Sequence, residues 1–223
     1  MHFKIIIYGF YYDVKILEER SDFGCQIKLR NPYLLNLFNM QINLTQAEEA
    51  ELAVIYQFMI KLNDASNEEL YGLALDEMDK KQPALQNLGR FLYQTKKFSM
   101  EQLWQITRLL ILVWWYYKPW LKDQTKKIDD PLYVEMRKKW EVFEGKMKGK
   151  SRVDNKRMMD EMLKKYPARL LYGQIHRTIF MEKGSSFYTL SKPDKTYLLI
   201  HFKIIMDCFE ALADRSIGSF NLN

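Results

Sequence analysis

From Thr45 onward the chain carries helix-start signals at short intervals, and these constrain its fold more than any other feature. Thr45-Gln46-Ala47-Glu48, Ser66-Asn67-Glu68-Glu69 and Ser99-Met100-Glu101-Gln102 are capping boxes. In each, the hydroxyl and the acid or amide three residues later satisfy backbone N–H groups that a helix end leaves unpaired. Prolines add further starts: Pro83 fits the first turn of a helix, Asp130-Pro131 opens another, and Ser191-Lys192-Pro193-Asp194 opens the last. Asp154 reads as a cap and Pro167 as a start, whereas Pro119 and Lys183-Gly184 read as stops. About eight helices between residues 45 and 215 follow from these marks.

Before Thr45 the pattern changes. Phe3 to Tyr8 and Tyr11 to Leu17 are rich in Ile, Tyr, Phe and Val, with Gly9 between them. Arg20 to Gly24 is a turn cluster, Cys25 to Arg30 alternates like a strand, and Asn39 to Leu44 is a candidate fourth. The expectation is a predominantly helical α+β protein, with a small N-terminal antiparallel β-meander packed on a bundle of seven or eight helices. A sheet that small needs helices on one face to be stable.

With 223 residues, of which 48% are hydrophobic and 28% charged, the chain can bury a core without disulfides or metals. It reads as a single domain over residues 1–223: a β-rich part to 44, a helical part over 45–215 and a flexible tail over 216–223. Residues 122–130 form a connection between apolar helices. Cys25 and Cys208 are too few for a disulfide framework, which points to a reducing, cytoplasmic setting. The apolar N-terminus is short, β-branched and soon followed by Asp13 and Lys15, unlike a signal peptide.

Leu103 to Leu121 is the most apolar stretch, yet its uninterrupted run is only Leu109 to Tyr117, between Arg108 and Lys118. That is too short for a membrane span, so it reads as a buried helix. The expected core comprises Ile106, Leu110, Val113, Trp114, Trp140, Phe143, Ile175, Leu198, Phe202, Ile205 and Phe209. The aromatic end, with Trp115, Tyr116 and Trp120, is the part expected to be half exposed. It is a candidate for contact with a protein partner or a second copy. The acidic stretch over 64–79 is another.

The net charge of +6 is unevenly placed. Lys118 to Arg177 holds 17 basic and 9 acidic residues, and the remainder of the chain is slightly acidic. Arg137, Lys138, Lys139, Lys146, Lys148, Lys150, Arg152, Lys156 and Arg157 straddle two predicted helices and the Gly/Ser connection between them. Leu132, Met136, Trp140, Phe143 and Met147 form one apolar stripe, which leaves these cations on the outer faces. Such a surface can neutralise phosphates and release counterions. A solvated face is the competing reading. The region is richer in Lys than in the Arg that bidentate phosphate recognition favours, and Glu135–Lys139 and Glu144–Lys148 have the spacing of internal helix pairs.

Little points to catalysis. The chain lacks the phosphate-loop motif GxxxxGK[ST], the dinucleotide fingerprint GxGxxG and the hydrolase elbow GxSxG. Three His and two distant Cys give no metal-ligand spacing, and no cofactor is expected. His201 lies among apolar residues of the last helix and reads as a satisfied core histidine. Arg169 and His176, seven apart on one helix with Gly173 between them, could act together on a phosphodiester. Their spacing resembles the Arg-x(4–6)-His pattern of HEPN-type ribonucleases, although Leu170 stands where that pattern usually has a polar residue. The resemblance implies a helical, metal-independent ribonuclease in which His176 is the acid or base and Arg169 holds the phosphate.

Three functions thus fit the sequence. The leading one is a non-catalytic protein that contacts RNA or DNA through the basic region 118–177. The alternatives are a protein–protein adaptor or assembly subunit, and a ribonuclease built on Arg169 and His176.

Overall fold

A computed structural model of the protein describes residues 2–7, 10–15, 44–64, 68–87, 98–121 and 126–213. The chain divides into two compact units, Met1–Leu44 and Thr45–Asn223. In the first, β1 (His2–Ile7) pairs antiparallel with β2 (Phe10–Lys15), in a register that sets Ile7 opposite Phe10 and His2 opposite Lys15. The turn cluster at 20–24, the strand expected at 25–30 and almost all of that at 39–44 lie outside the described residues.

The second unit is a helical bundle: α1 (Gln46–Asn63), α2 (Glu68–Lys81), a helical turn at 83–87, α3 (Met100–Tyr117), α4 (Asp130–Met147), α5 (Arg152–Lys164), α6 (Arg169–Phe180) and α7 (Lys192–Leu212). Short 3-10 turns follow α3 (Lys118–Trp120) and precede α7 (Ser186–Thr189). The expected α+β class is corrected. The bundle contains no strand among its described residues, and the described β structure is one two-stranded hairpin in the other unit. Ile- and Tyr-rich alternation marks a segment as extended. It does not state how many partners the strand finds.

Both visible capping boxes form. Thr45 accepts from the Glu48 N–H while Glu48 accepts from the Thr45 N–H, and Ser99 and Gln102 do the same. Ser66 lies outside the described residues. Asp154 is corrected as a cap: Ser151 takes that role by accepting from the Asp154 N–H, and Asp154 sits in the first turn, where the helix dipole favours an anion.

The core lies where α3 and α7 meet. Every expected core residue is buried except Phe143, which is half-buried. Phe209 of α7 stacks on Tyr117 at 5.1 Å between ring centroids, and Trp114 lies at 6.1 Å on a tilt. α1 and α2 pack on α3, and α4 and α6 pack on α7. The Tyr117 hydroxyl donates to Glu210 and the Tyr116 hydroxyl to Glu51, both at 2.6 Å, so each buried phenol has an acceptor.

Polar side chains tie the connections down. Gln82, wholly buried, donates to the Lys126 carbonyl at 2.8 Å and accepts from the Ile128 N–H at 3.0 Å. It thereby pairs like a strand with the segment leading into α4. Gln105 accepts from the Ser185 and Ser186 hydroxyls and from the Ser186 N–H, fixing the turn before α7. Gln82→Ala would leave the buried Ile128 N–H without its acceptor. The expected cost is about 1–3 kcal/mol, read as a lowered midpoint in urea unfolding at unchanged slope.

Candidate nucleic-acid interface

The site rests on α4. Asp129 caps this helix by accepting from the Leu132 N–H, and Pro131 occupies its first turn. Met136 and Trp140 of the expected stripe are buried, while Leu132, Phe143 and Met147 are half-buried. α4 is held on α7 by this stripe and by one polar contact, a 2.5 Å hydrogen bond between the Tyr133 hydroxyl and Nδ1 of His201. His201 also receives Tyr197 edge-on at 4.3 Å. It is a buried histidine with partners.

A tight turn joins α4 to α5. Lys148 adopts φ −60° and ψ 132°, Gly149 has φ +79°, and the Lys150 N–H donates to the Met147 carbonyl at 3.2 Å. Those angles define a type II turn, whose third position needs positive φ. α5 buries no residue fully. Met158, Met159, Met162 and Leu163 are half-buried along its inner face.

All nine basic residues singled out in the sequence are exposed. Three have acid partners: Arg137 with Glu141 at 3.1 Å, Lys139 with Glu135 at 2.8 Å, and Arg157 with Asp154 at 3.6 Å. The other six, Lys138, Lys146, Lys148, Lys150, Arg152 and Lys156, have no carboxylate within 4 Å among the described residues. The expected Glu144–Lys148 pair does not form. Lys148 has already left helical geometry, so the four-residue spacing no longer brings the two side chains together. Between Lys146 and Arg157 six basic residues face a single acid, Asp154. Lys164 and Lys165, also exposed, extend the basic surface to the far end of α5.

The remaining candidates are placed differently. The Arg169 guanidinium donates to Glu48 of the first capping box and forms an ion pair with it. The Thr45 backbone N–H and Arg169 together hold the Glu48 carboxyl below its usual range. His176 stacks on Phe180 at 4.8 Å, and burial lowers its pKa. Leu170 is buried. Arg169 and His176 therefore have separate partners, one acidic and one aromatic. Tyr116 is wholly buried and Trp120 is 7% exposed, while Trp115 stacks on Phe58 at 4.0 Å. The aromatic end is thus taken up mostly inside the bundle, and the exposed indole is that of Trp104 instead.

One buried ion pair escaped the sequence reading. Lys203 is 4% exposed, pairs with Asp207 at 2.5 Å and lies 3.9 Å over the Tyr166 ring. Burial lowers its pKa, and Asp207 opposes that shift. The available signal was a lysine inside an apolar run with an acid four residues on.

No helix among the described residues is long and apolar enough to cross a membrane. Nor do the described residues group three or more His, Cys, Asp or Glu in a way that could hold a metal ion.

Two predictions follow from the support of α4. Gly149→Ala places a methyl group in open space but in a backbone conformation that Cβ disfavours. It should cost about 1 kcal/mol, seen as a fall of a few degrees in the melting temperature. His201 has its pKa lowered to about 4 by burial, with Arg137 contributing. Its folded value thus lies below the unfolded value of about 6.5. Between those values the unfolded chain binds more protons, so stability falls as pH drops through that window. At pH about 4.5 the loss should reach about 2–3 kcal/mol. In His201→Gln the difference in unfolding free energy between neutral and that pH should shrink by a similar amount.

No protein-family model, no curated protein and no solved structure matches this chain.

Proposed function

We propose that the protein binds nucleic acid, without catalysis, through the hairpin of α4 and α5. The observation that carries this reading is the set of six exposed cations, five of them at and around the type II turn between Lys146 and Lys156, that no carboxylate among the described residues neutralises. Lys139, by contrast, sits beside Glu135 four residues away and is taken up by a pair within its own helix. Unpaired cations in one place gain most from a polyanion, because each phosphate contact releases condensed counterions.

The bundle supplies a rigid base. α4 is fixed by Met136, Trp140 and the Tyr133–His201 hydrogen bond. α5 keeps its outer face free for contact, with Lys156 and Arg157 on it. The ribonuclease alternative draws no comparable support, since Glu48 occupies the guanidinium that would have to hold a phosphate. The adaptor alternative loses its aromatic surface to the core.

The wild-type protein should bind nucleic acid with a Kd of about 1–100 μM near physiological salt. The variant with Gln at Lys146, Lys148, Lys150 and Arg152 should lose at least about tenfold while unfolding at the same temperature. Anisotropy titrations at several salt concentrations read both. Binding that ignores salt, or that survives intact in the quadruple variant, would count against the hairpin.

A further inference from the structure

We infer that the partner of this surface is double-stranded nucleic acid, gripped by its phosphates without reading base sequence, an assignment that rests on the nucleic-acid reading of the hairpin. Proteins that bind single strands present aromatic rings on which bases stack. The hairpin presents none. Of its aromatic side chains Trp140 is buried, and Tyr133 and Phe143 are half-buried on the inner stripe. The ring planes at hand are already used: Trp140 lies against Phe143 at 5.4 Å, and Tyr133 against His201.

Base-edge readers are scarce as well: Arg137 and Arg157 are paired with Glu141 and Asp154, which leaves Arg152 as the one Arg of the hairpin without an acid partner. Specific readout in a groove relies on Arg, Asn or Gln donors placed against base edges. Along α4 and α5 the one amide is Asn155, half-buried with its Oδ1 enclosed. Four of the five cations from Lys146 through Lys156 that lack an acid partner are lysines, point charges suited to phosphate oxygens. The exposed large apolar side chains of the two helices are Val134, Val142 and Val153. These are too small to wedge into a bilayer interface as Trp, Phe or Leu do, which argues against a membrane as the polyanion.

With no stacking ring and a single unpaired Arg among the hairpin's cations, charge density decides the ligand. A duplex carries one negative charge per about 1.7 Å of axis, a single strand one per about 3.4 Å. The cluster is compact, since an α-helix rises only about 1.5 Å per residue and the turn brings both helices' ends together. It can therefore meet more phosphates on a duplex than on a flexible strand, and each contact there releases more counterion.

The test uses the full chain with three probes: a mixed-sequence DNA duplex of about two helical turns, oligo(dT) of the same strand length, and vesicles containing phosphatidylserine. Wild-type protein should bind the duplex at least about fivefold more tightly than oligo(dT), and permuting the duplex sequence should change affinity less than about twofold. Raising salt from about 50 to 200 mM should weaken duplex binding about 10³-fold, as six phosphate contacts require. Val153→Trp places a stacking ring at a site now 77% exposed beside Arg152, and should raise oligo(dT) affinity about tenfold relative to duplex. Equal or tighter binding of oligo(dT) by the wild type, or strong dependence on duplex sequence, would overturn the duplex assignment and leave the nucleic-acid function standing. Binding to neither nucleic acid, or to vesicles alone, would overturn both. A Val153→Trp protein with no gain for oligo(dT) would overturn the claim that a missing stacking platform sets the preference.

Discussion

Phe209 stacked on Tyr117, with Trp114 tilted beside it, is the contact on which the bundle depends. Both aromatic groups come from long helices, α3 and α7, whose central residues are buried on most sides. A helix apolar nearly all round is stable in water only when other helices cover it. α1 and α2 cover α3, and α4 and α6 cover α7. α1, α2, α4 and α6 are therefore placed by the need to shield two helices, whereas α5 packs on α4.

That arrangement explains which parts were legible in the sequence. Capping residues act locally, so Thr45, Ser99 and Ser191 mark helix starts whatever the tertiary fold. Apolar periodicity likewise marks Ile106, Leu110, Leu198 and Phe202 as inward facing. The exposure of the aromatic end was less legible, because it depends on partners far away in sequence. Tyr116 is enclosed with Glu51 as its acceptor, and Trp115 by Phe58, both from α1. No local pattern announces such a contact. Gln82 is the same case: it reads as one more polar residue beside Pro83, and only the arrival of residues 126–128 shows why it is wholly buried. The N-terminal β pattern was legible as strands at 3–8 and 11–17, which lie at 2–7 and 10–15 in the structure. Which strands pair could not be read, since pairing is not a local property.

The basic surface was legible by residue and not by partner. Counting charges located it, and the apolar stripe of α4 predicted that its cations face outward, as they do. Which cations would stay unpaired turned on details of backbone geometry. Glu144 and Lys148 have the spacing of a helix pair, yet the turn begins at Lys148 and separates them. Asp154 and Arg157, three residues apart, keep their helical spacing and meet at 3.6 Å, because Ser151 starts α5 early enough to place both in its first turns.

The chain thus treats its lysines in two opposite ways. Lys203, inside the bundle, is compensated by Asp207 at 2.5 Å and by the Tyr166 ring, and a buried ammonium without such partners would cost several kcal/mol. Lys146, Lys148, Lys150 and Lys156 are left without acids on a helical hairpin that buries little. In water an exposed cation is well solvated, so folding has no need to neutralise it, and an exposed pair would add at most about 1 kcal/mol. Clustering does carry an energetic consequence, since like charges held close repel and raise the free energy of the folded hairpin. A polyanion removes that repulsion and releases its own counterions in the same step. The free energy available for binding is therefore greatest at the tip between Lys146 and Lys156, where internal compensation is least.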